Sequence, residues 1–217
     1  MVSIKINIFL LLYSELIHVF ESSFSADFSD YSISNEACNL APITYRHSKT
    51  IILNYDPDCA NQIVFQLSHE LCHASIPSDV PDNLRWLEES FAVLSSFFFP
   101  LRLKNIVVSK YKLYFQSSLA ACKPCFPLSA IPLSDGDLSL LASGSGTNNY
   151  NDYGNYWKVA QVMLPLAEKY NDFWKVVPYL CKIPRNLSLK ESFQMWQLSV
   201  PSDIGDIIAV IKSTLLG

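Results

Sequence analysis

The sequence predicts a mixed α+β protein with a small N-terminal β-sheet, a helix carrying an H-E-x-x-H motif and a mostly helical C-terminal half. Residues 43–47 and 50–55 are rich in β-branched and aromatic side chains, which is typical of short strands. Residues 56–58 read Asp-Pro-Asp, a helix start with a capping Asp, and Pro77 ends this helix near Ser75. Only 6 of the 217 residues are Gly, which favours packed helices over a β-barrel.

The chain is long enough to bury one sizeable core, since 50% of its 217 residues are hydrophobic. No repeat or linker divides it, and we expect a single domain over residues 1–217. Within that domain, residues 1–76 are expected to hold the sheet and the motif helix, and residues 77–217 to form a helical subdomain.

The first segment is predicted to be an amphipathic helix over residues 3–24. Its apolar side chains recur at helical spacing, at Phe9, Leu12, Leu16, Phe20 and Phe24. The alternative is a signal peptide within residues 1–26, since Lys5 precedes an apolar run. Glu15 and His18 interrupt that run, and the only cleavage-like end has a bulky Phe where a small residue is wanted.

Prolines and turn-forming residues divide the rest of the chain. Residues 22–39 and 78–83 are predicted to be loops. The helix that follows is expected to begin at Leu84, capped by Asp82, and to run to Phe99, where Pro100 ends it. The remaining predictions are a helix over 101–118, a loop over 122–151 and helices over 157–170, 171–181, 188–198 and 201–215.

Charge and composition exclude several classes of partner. The net charge is -4 and no cluster of Lys and Arg stands out, so we expect no nucleic-acid partner. No run reaches the ~18–20 apolar residues of a membrane span. Six cysteines form no dense framework in a chain of this length, which favours thiols in a reducing, cytoplasmic setting. Secretion is the alternative if the N-terminal segment is a signal peptide.

The chemistry is concentrated in the motif His69-Glu70-Leu71-Cys72-His73. Residues four apart lie on one face of a helix, so His69 and His73 can bind a single zinc ion at about 2.0–2.1 Å. Glu70 lies about 100° around the helix, where its carboxylate can take a proton from a metal-bound water. The motif can also occur by chance, but the helix start and the apolar frame favour a metal site; that frame comprises Ile63, Val64, Leu67 and Leu71.

A catalytic zinc needs a third protein ligand and one open position. The next helix carries two adjacent carboxylates, Glu88 and Glu89, in an otherwise apolar stretch. Either one could be a solvated surface acid, but this is improbable for both because successive helix positions point about 100° apart. The residues themselves leave the choice between the two open.

The motif together with Trp86-Leu87-Glu88-Glu89-Ser90-Phe91-Ala92 resembles the gluzincin metallopeptidases, whose aminopeptidase branch has the segment W-L-x-E-G-F-A. This resemblance implies a zincin-like fold, a zinc site of His69, His73 and Glu89, and Glu70 as general base. Ser90 replaces the usual Gly, and 15 residues separate His73 from Glu89, slightly fewer than in the large aminopeptidases. The G-x-M-E-N segment that binds a substrate amine has no counterpart, so aminopeptidase specificity is not implied.

The same resemblance implies a donor to the oxyanion. Tyr156-Trp157-Lys158-Val159, 67 positions after Glu89, is similar to the Y-x-K-G segment of those enzymes, with Val in place of Gly. It implies that Tyr156 donates to the oxyanion, with Tyr153 as the second choice. From composition alone, a tyrosine-rich loop that enters a helix is more often a packing feature.

These observations predict a zinc-dependent metallopeptidase, a hydrolase acting on a peptide or protein substrate, with Zn2+ as its cofactor. The alternatives are a zinc-binding protein that binds partners without hydrolysis, and a structural metal site. The strand at 50–55 is expected either to pair with extended substrate or to be a core strand. Cys122 and Cys125 form a lone C-x-x-C without the second pair of a structural zinc site.

Overall fold

The computed structural model describes residues 2–36, 41–55, 60–103 and 150–216. The described part of the chain is mixed α+β and mostly helical, with one three-stranded sheet. The elements in chain order are α1 (Val2–Phe24), β1 (Ser32–Asn35), β2 (Ile43–Tyr45), β3 (Thr50–Leu53), α2 (Ala60–Ala74), a 3₁₀ turn (Asp82–Leu84), α3 (Arg85–Leu103), α4 (Tyr150–Lys169), a 3₁₀ helix (Phe173–Lys182), α5 (Leu189–Ser199) and α6 (Gly205–Leu216).

The predicted N-terminal helix is confirmed as α1. The described members of its apolar stripe, Leu16, Phe20 and Phe24, are all buried. The stripe continues beyond the helix into Phe28, whose ring lies edge-on to Phe20 with 6.4 Å between the ring centroids. Burial of this face explains why the segment is helical, because a helix within a folded protein gains most of its stability from tertiary packing.

The sheet has the strand order β1-β3-β2, with β1 parallel and β2 antiparallel to β3. The predicted loop over 22–39 is therefore partly wrong, since it contains β1. This strand has one apolar residue, Ile33, so its sequence lacks the alternation of apolar residues that is typical of a strand. The strand is held by main-chain pairing with β3, where Ile33 lies opposite Ile51. The strands predicted at 43–47 and 50–55 are confirmed in shortened form, as β2 and β3.

The position of β3 decides between its two predicted roles. Both of its edges are occupied, one by β1 and the other by β2. The expectation that this strand pairs with extended substrate is therefore wrong, because no free main-chain edge is left. Its side chains Ile51 and Leu53 are fully buried, so β3 is a core strand.

The motif helix is confirmed as α2, which ends at Ala74. The predicted start at 56–58 lies outside the described residues. Its apolar frame is buried as expected, and this frame comprises Ile63, Val64, Leu67 and Leu71.

Helix α3 differs from its prediction at both ends. Pro100 lies inside it, and the helix continues to Leu103 instead of ending at Phe99. Pro removes one main-chain hydrogen bond, yet Phe99 and Leu103 on either side of it are fully buried, so packing maintains the helix. At the other end Asp82 begins a 3₁₀ turn and pairs with the Arg85 guanidinium at 3.0 Å rather than capping a helix at Leu84.

The C-terminal part is helical as predicted, with three differences. Helix α4 begins at Tyr150, so the described end of the predicted loop at 150–151 is helical. Residues 173–182, predicted as an ordinary helix, form a 3₁₀ helix. The last helix begins at Gly205 rather than Pro201. The predictions for residues 104–118 and 122–149 lie outside the described residues.

The described residues fall into two compact units. Among the described residues, the first unit comprises 2–36, 41–55, 60–74 and 95–103, and its core includes Phe20 and Phe99, whose ring centroids are 4.0 Å apart. The second comprises residues 75–94 and 150–216, and in its core Phe91 contacts the rings of Phe173, Trp174 and Trp196 at 5.8–6.4 Å. The predicted subdivision of a single domain into residues 1–76 and 77–217 stays a prediction.

No helix within the described part of the chain has the length and apolar content needed to span a bilayer.

Candidate metal centre

His69 and His73 each direct the Nε2 atom of the ring toward a common point. Both lie on α2, four residues apart, and their Nε2 atoms are 3.3 Å apart. Two nitrogens bound to one tetrahedral zinc at about 2.0–2.1 Å are separated by about 3.3–3.4 Å, by trigonometry on those bond lengths. The separation of the two imidazoles therefore fits a shared ion.

Glu89 lies close enough to the two histidines to offer a third ligand atom. One atom from each of His69, His73 and Glu89 lies within 4.8 Å of the other two. Among the described residues this is the group of three that is suited to hold a metal ion. Glu88, the alternative that the sequence left open, is buried but is not a member of the group. Glu89 is thus the acid that lies close to the two histidines, and its role as a ligand stays a prediction.

The donor set also fits zinc chemically. Two imidazole nitrogens and one carboxylate oxygen are ligands that catalytic zinc sites use, with the fourth position left for water or substrate. His69 is 9% exposed and Glu89 is partly exposed, so the cluster combines a buried side with a solvent-facing one. The identity of the metal stays a prediction.

Hydrogen bonds flank the part of α3 that carries Glu89. Asn83 donates to the Leu187 carbonyl oxygen at 2.9 Å, and the Trp86 indole donates to the Asn83 carbonyl oxygen at 2.9 Å. These bonds hold the first turn, which precedes Glu89. Farther along, the Ser95 hydroxyl donates to the Ser68 carbonyl oxygen at 2.7 Å, which ties α3 to the turn of α2 just before His69.

Ser90 stands where the resembling aminopeptidases have Gly. It is fully buried, and its hydroxyl donates to the Trp86 carbonyl oxygen at 2.6 Å, one helical turn earlier. The side chain thus satisfies its own polar group within α3. A Ser at this position is therefore compatible with the helix and leaves the neighbouring Glu89 in the metal cluster.

Glu70, the predicted general base, is 3% exposed. Its Oε2 accepts a hydrogen bond from the Thr44 hydroxyl at 2.8 Å. A buried carboxylate needs hydrogen-bond partners because its desolvation is otherwise costly. The sheet residue Thr44 therefore belongs to the environment of the predicted base, a role that no motif indicated.

Two further side chains bind the carbonyl groups at the end of α2. The Arg46 guanidinium donates through Nε to the His73 carbonyl oxygen at 3.0 Å, and the Tyr31 hydroxyl donates to the Ala74 carbonyl oxygen at 3.2 Å. The last four carbonyl groups of a helix have no partner within it, and a cation at this end is also favoured by the helix dipole. Burial raises the pKa of Tyr31, which favours the protonated donor, while Arg46 and Lys49 act in the opposite direction.

The sequence contained one signal for this arrangement that remained unused. The predicted strand over residues 43–47 would place Thr44 and Arg46 on one face, since side chains alternate between the two faces of a strand. Ile51 of β3, the residue that pairs with Thr44, is buried on this same face of the sheet. Polar residues on a buried face indicate polar groups packed against it. That target is the last turn of α2.

Tyr156, the predicted oxyanion donor, lies in α4 and is half-buried. Residues 150–156, expected as a loop entering the helix, are already helical. Tyr153 lies in the same helix, and its side chain is outside the described part. The catalytic role of Tyr156 stays a prediction.

Two of the six cysteines are described, and neither is in a disulfide. Cys72, between His69 and His73, is buried, and Cys181 is half-buried. This agrees with the expected thiols at these two positions. Cys122 and Cys125 of the C-x-x-C pair lie outside the described residues.

Comparisons of this chain with protein-family models, with curated proteins and with solved structures find no match.

Proposed function

We propose that this protein is a zinc-dependent metallopeptidase of gluzincin type with a zincin-like fold, which hydrolyses peptide bonds. The observation that carries the proposal is the convergence of His69, His73 and Glu89 on one point, with the carboxylate of Glu70 on the residue next to the first ligand. A structural site would need no such base beside it, and structural zinc sites use four protein ligands.

His69, His73 and Glu89 would hold the ion. When bound, zinc polarises a carbonyl group and lowers the pKa of a coordinated water, which supplies a nucleophile at neutral pH. Three protein ligands leave a position open for this chemistry.

The remaining steps belong to the side chains of the chain itself. Glu70 takes a proton from the attacking water and transfers it to the nitrogen of the leaving amine as the peptide bond breaks. The Tyr156 hydroxyl donates a hydrogen bond to the oxyanion that develops on the former carbonyl oxygen. Both roles rest on the resemblance of the motifs, and the first also on the burial of Glu70 in the turn that carries the ligands.

We extend the proposal to the setting of the protein. The substrate is a peptide or protein, and the compartment is the reducing cytoplasm. The compartment rests on the cysteine pattern of the sequence, which has no dense disulfide framework.

The test is hydrolysis of a broad library of fluorogenic peptides by the zinc-loaded protein. We expect cleavage by the wild type, and a loss of about 10²–10⁴-fold in kcat in Glu70→Gln with zinc retained. Glu88→Gln makes the same chemical change at another buried position and serves as the control, with full activity expected. A wild type that holds zinc and cleaves no peptide would refute hydrolysis and favour the partner-binding alternative.

A further inference from the structure

The Thr44 hydroxyl has two acceptors within reach, both on Glu70. It lies 2.8 Å from Oε2 and 3.0 Å from the main-chain carbonyl oxygen. A hydroxyl carries one proton and can donate it to only one of them at a time. The carboxylate is the charged acceptor and gives the stronger bond, and the carbonyl also has a partner available in the helix. We expect the proton to lie on the bond to Oε2.

The strand that carries Thr44 is itself fixed. Thr44 is paired in the sheet with Ile51, which is fully buried in the core strand β3. Two residues later Arg46 binds the His73 carbonyl oxygen at 3.0 Å. The hydroxyl is thus presented from a rigid element, and the same stretch of chain contacts the turn of α2 at the predicted base and at the second histidine.

A glutamate side chain has three rotatable bonds, so burial alone does not set the direction of its carboxylate. A single short hydrogen bond to one oxygen restricts these rotations, while the other oxygen keeps its lone pairs for proton transfer. The contact therefore has a consequence for chemistry as well as for packing.

We propose that Thr44 is a positioning residue for Glu70, whose hydroxyl fixes the orientation of the carboxylate through Oε2. This inference rests on the proposed function, since the orientation matters to catalysis only if Glu70 is the base. It adds a residue from the sheet to the machinery that the motifs place on α2 and α3.

The kinetic test compares three variants of the zinc-loaded protein on the peptide that the wild type cleaves best. Thr44→Val keeps the shape and removes the hydroxyl, and we expect kcat to fall about 10–100-fold with unchanged KM and zinc content. Thr44→Ser keeps the hydroxyl and is expected to recover most of the activity. Thr50→Val makes the same change on the opposite face of the sheet, where the hydroxyl donates to the Ser48 carbonyl oxygen, and is expected to leave kcat unchanged.

A second measurement detects the contact without turnover. Urea midpoints are recorded for the zinc-loaded wild type, Thr44→Val, Glu70→Ala and the double variant. We expect Thr44→Val to lower the midpoint in the wild type by more than it does in Glu70→Ala, because the carboxylate acceptor is absent there and only the weaker main-chain acceptor remains. Additive midpoints would overturn the proposed contact.

The outcomes separate the two proposals. If the wild type cleaves peptide, two results overturn the positioning role and leave the proposed function standing. One is full kcat in Thr44→Val, and the other is a kcat of Thr44→Ser as low as that of Thr44→Val. A wild type that cleaves no peptide overturns the proposed function and the positioning role with it, even where the urea midpoints show the contact.

Discussion

The Nε of Arg46 donates a hydrogen bond to the main-chain carbonyl oxygen of His73, with 3.0 Å between the two atoms. The bond joins the end of strand β2 to the turn of α2 that carries the second histidine of the motif. It satisfies a carbonyl group that the helix leaves without a partner and places a cation at the negative end of the helix dipole.

Replacement of Arg46 by Met keeps the aliphatic stem and removes the donor. We expect a loss of about 1–2 kcal/mol in the free energy of unfolding, the range for a hydrogen bond that involves a charged group, measured by urea denaturation. Arg185→Met at an exposed position is the control and should leave the urea midpoint unchanged. Equal midpoints for both variants would mean that Arg46 does not stabilise α2.

The continuation of α3 past Pro100 is predicted to depend on the packing of Phe99. This ring is fully buried and lies 4.0 Å from the ring of Phe20, centroid to centroid. Phe99→Ala should therefore cost about 3–5 kcal/mol in the free energy of unfolding, measured by urea denaturation. Leu198→Ala, at a side chain that is 70% exposed, should change it by less than about 0.5 kcal/mol. A cost at Phe99 as small as that at Leu198 would contradict the described core.

Tyr31 is predicted to make stability fall at alkaline pH. Burial raises its pKa above the ordinary value of 10.0, against the opposite and smaller effects of Arg46 and Lys49. The folded state therefore holds the phenol proton more tightly than the unfolded state does. The resulting stabilisation is complete below pH 10 and is lost as the pH rises through the folded-state pKa.

The measurement is the urea midpoint of the wild type and of Tyr31→Phe between pH 9 and about pH 11.5, a range that brackets the ordinary tyrosine pKa. We expect the midpoint of the wild type to fall more steeply than that of Tyr31→Phe above pH 10. Parallel curves would show that the pKa of Tyr31 is the same in both states.

Helix α5 is predicted to depend on its capping box. The main chain of Glu191 donates to the Ser188 hydroxyl at 3.3 Å, and the Glu191 carboxylate accepts from the Ser188 main chain at 2.8 Å. Ser188→Ala should lower the free energy of unfolding by about 1 kcal/mol, whereas Ser213→Ala on the exposed face of α6 should be neutral.

The same substitution is expected to move the pKa of Glu191. Hydrogen bonds from the Ser188 side chain and main chain lower this pKa in the folded protein, so the carboxylate stabilises the fold above its ordinary pKa of 4.5. That contribution is lost as the pH falls through the lowered folded-state pKa. An NMR titration of Glu191 should give a higher pKa in Ser188→Ala than in the wild type, and an unchanged value would refute the cap.

Features that depend on local spacing could be predicted from the sequence. The helical period places His69 and His73 on one face, and the motif segment around Glu89 singles out one of two adjacent acids. The two predicted strands and the C-terminal helices follow from residue type and turn signals in the same way.

Features that depend on tertiary partners could not be predicted. Strand β1 exists because β3 offers it main-chain hydrogen bonds, and β3 loses its free edge for the same reason. Pro100 is tolerated because the side chains around it are buried, and the role of Thr44 depends on which helix lies against its face of the sheet. Each of these outcomes requires knowledge of distant parts of the chain.

The central claim is a zinc site made by His69, His73 and Glu89, and metal analysis tests it most directly. Wild type purified without chelator should contain about one zinc per chain, the occupancy of a site with three protein ligands. Glu88→Gln should keep that zinc. Loss of an outer hydrogen-bond partner of a metal ligand weakens metal affinity about 10–100-fold, and Glu89→Gln should weaken the affinity for zinc by more than this. A wild type without zinc, or equal zinc contents in the two variants, would contradict the site.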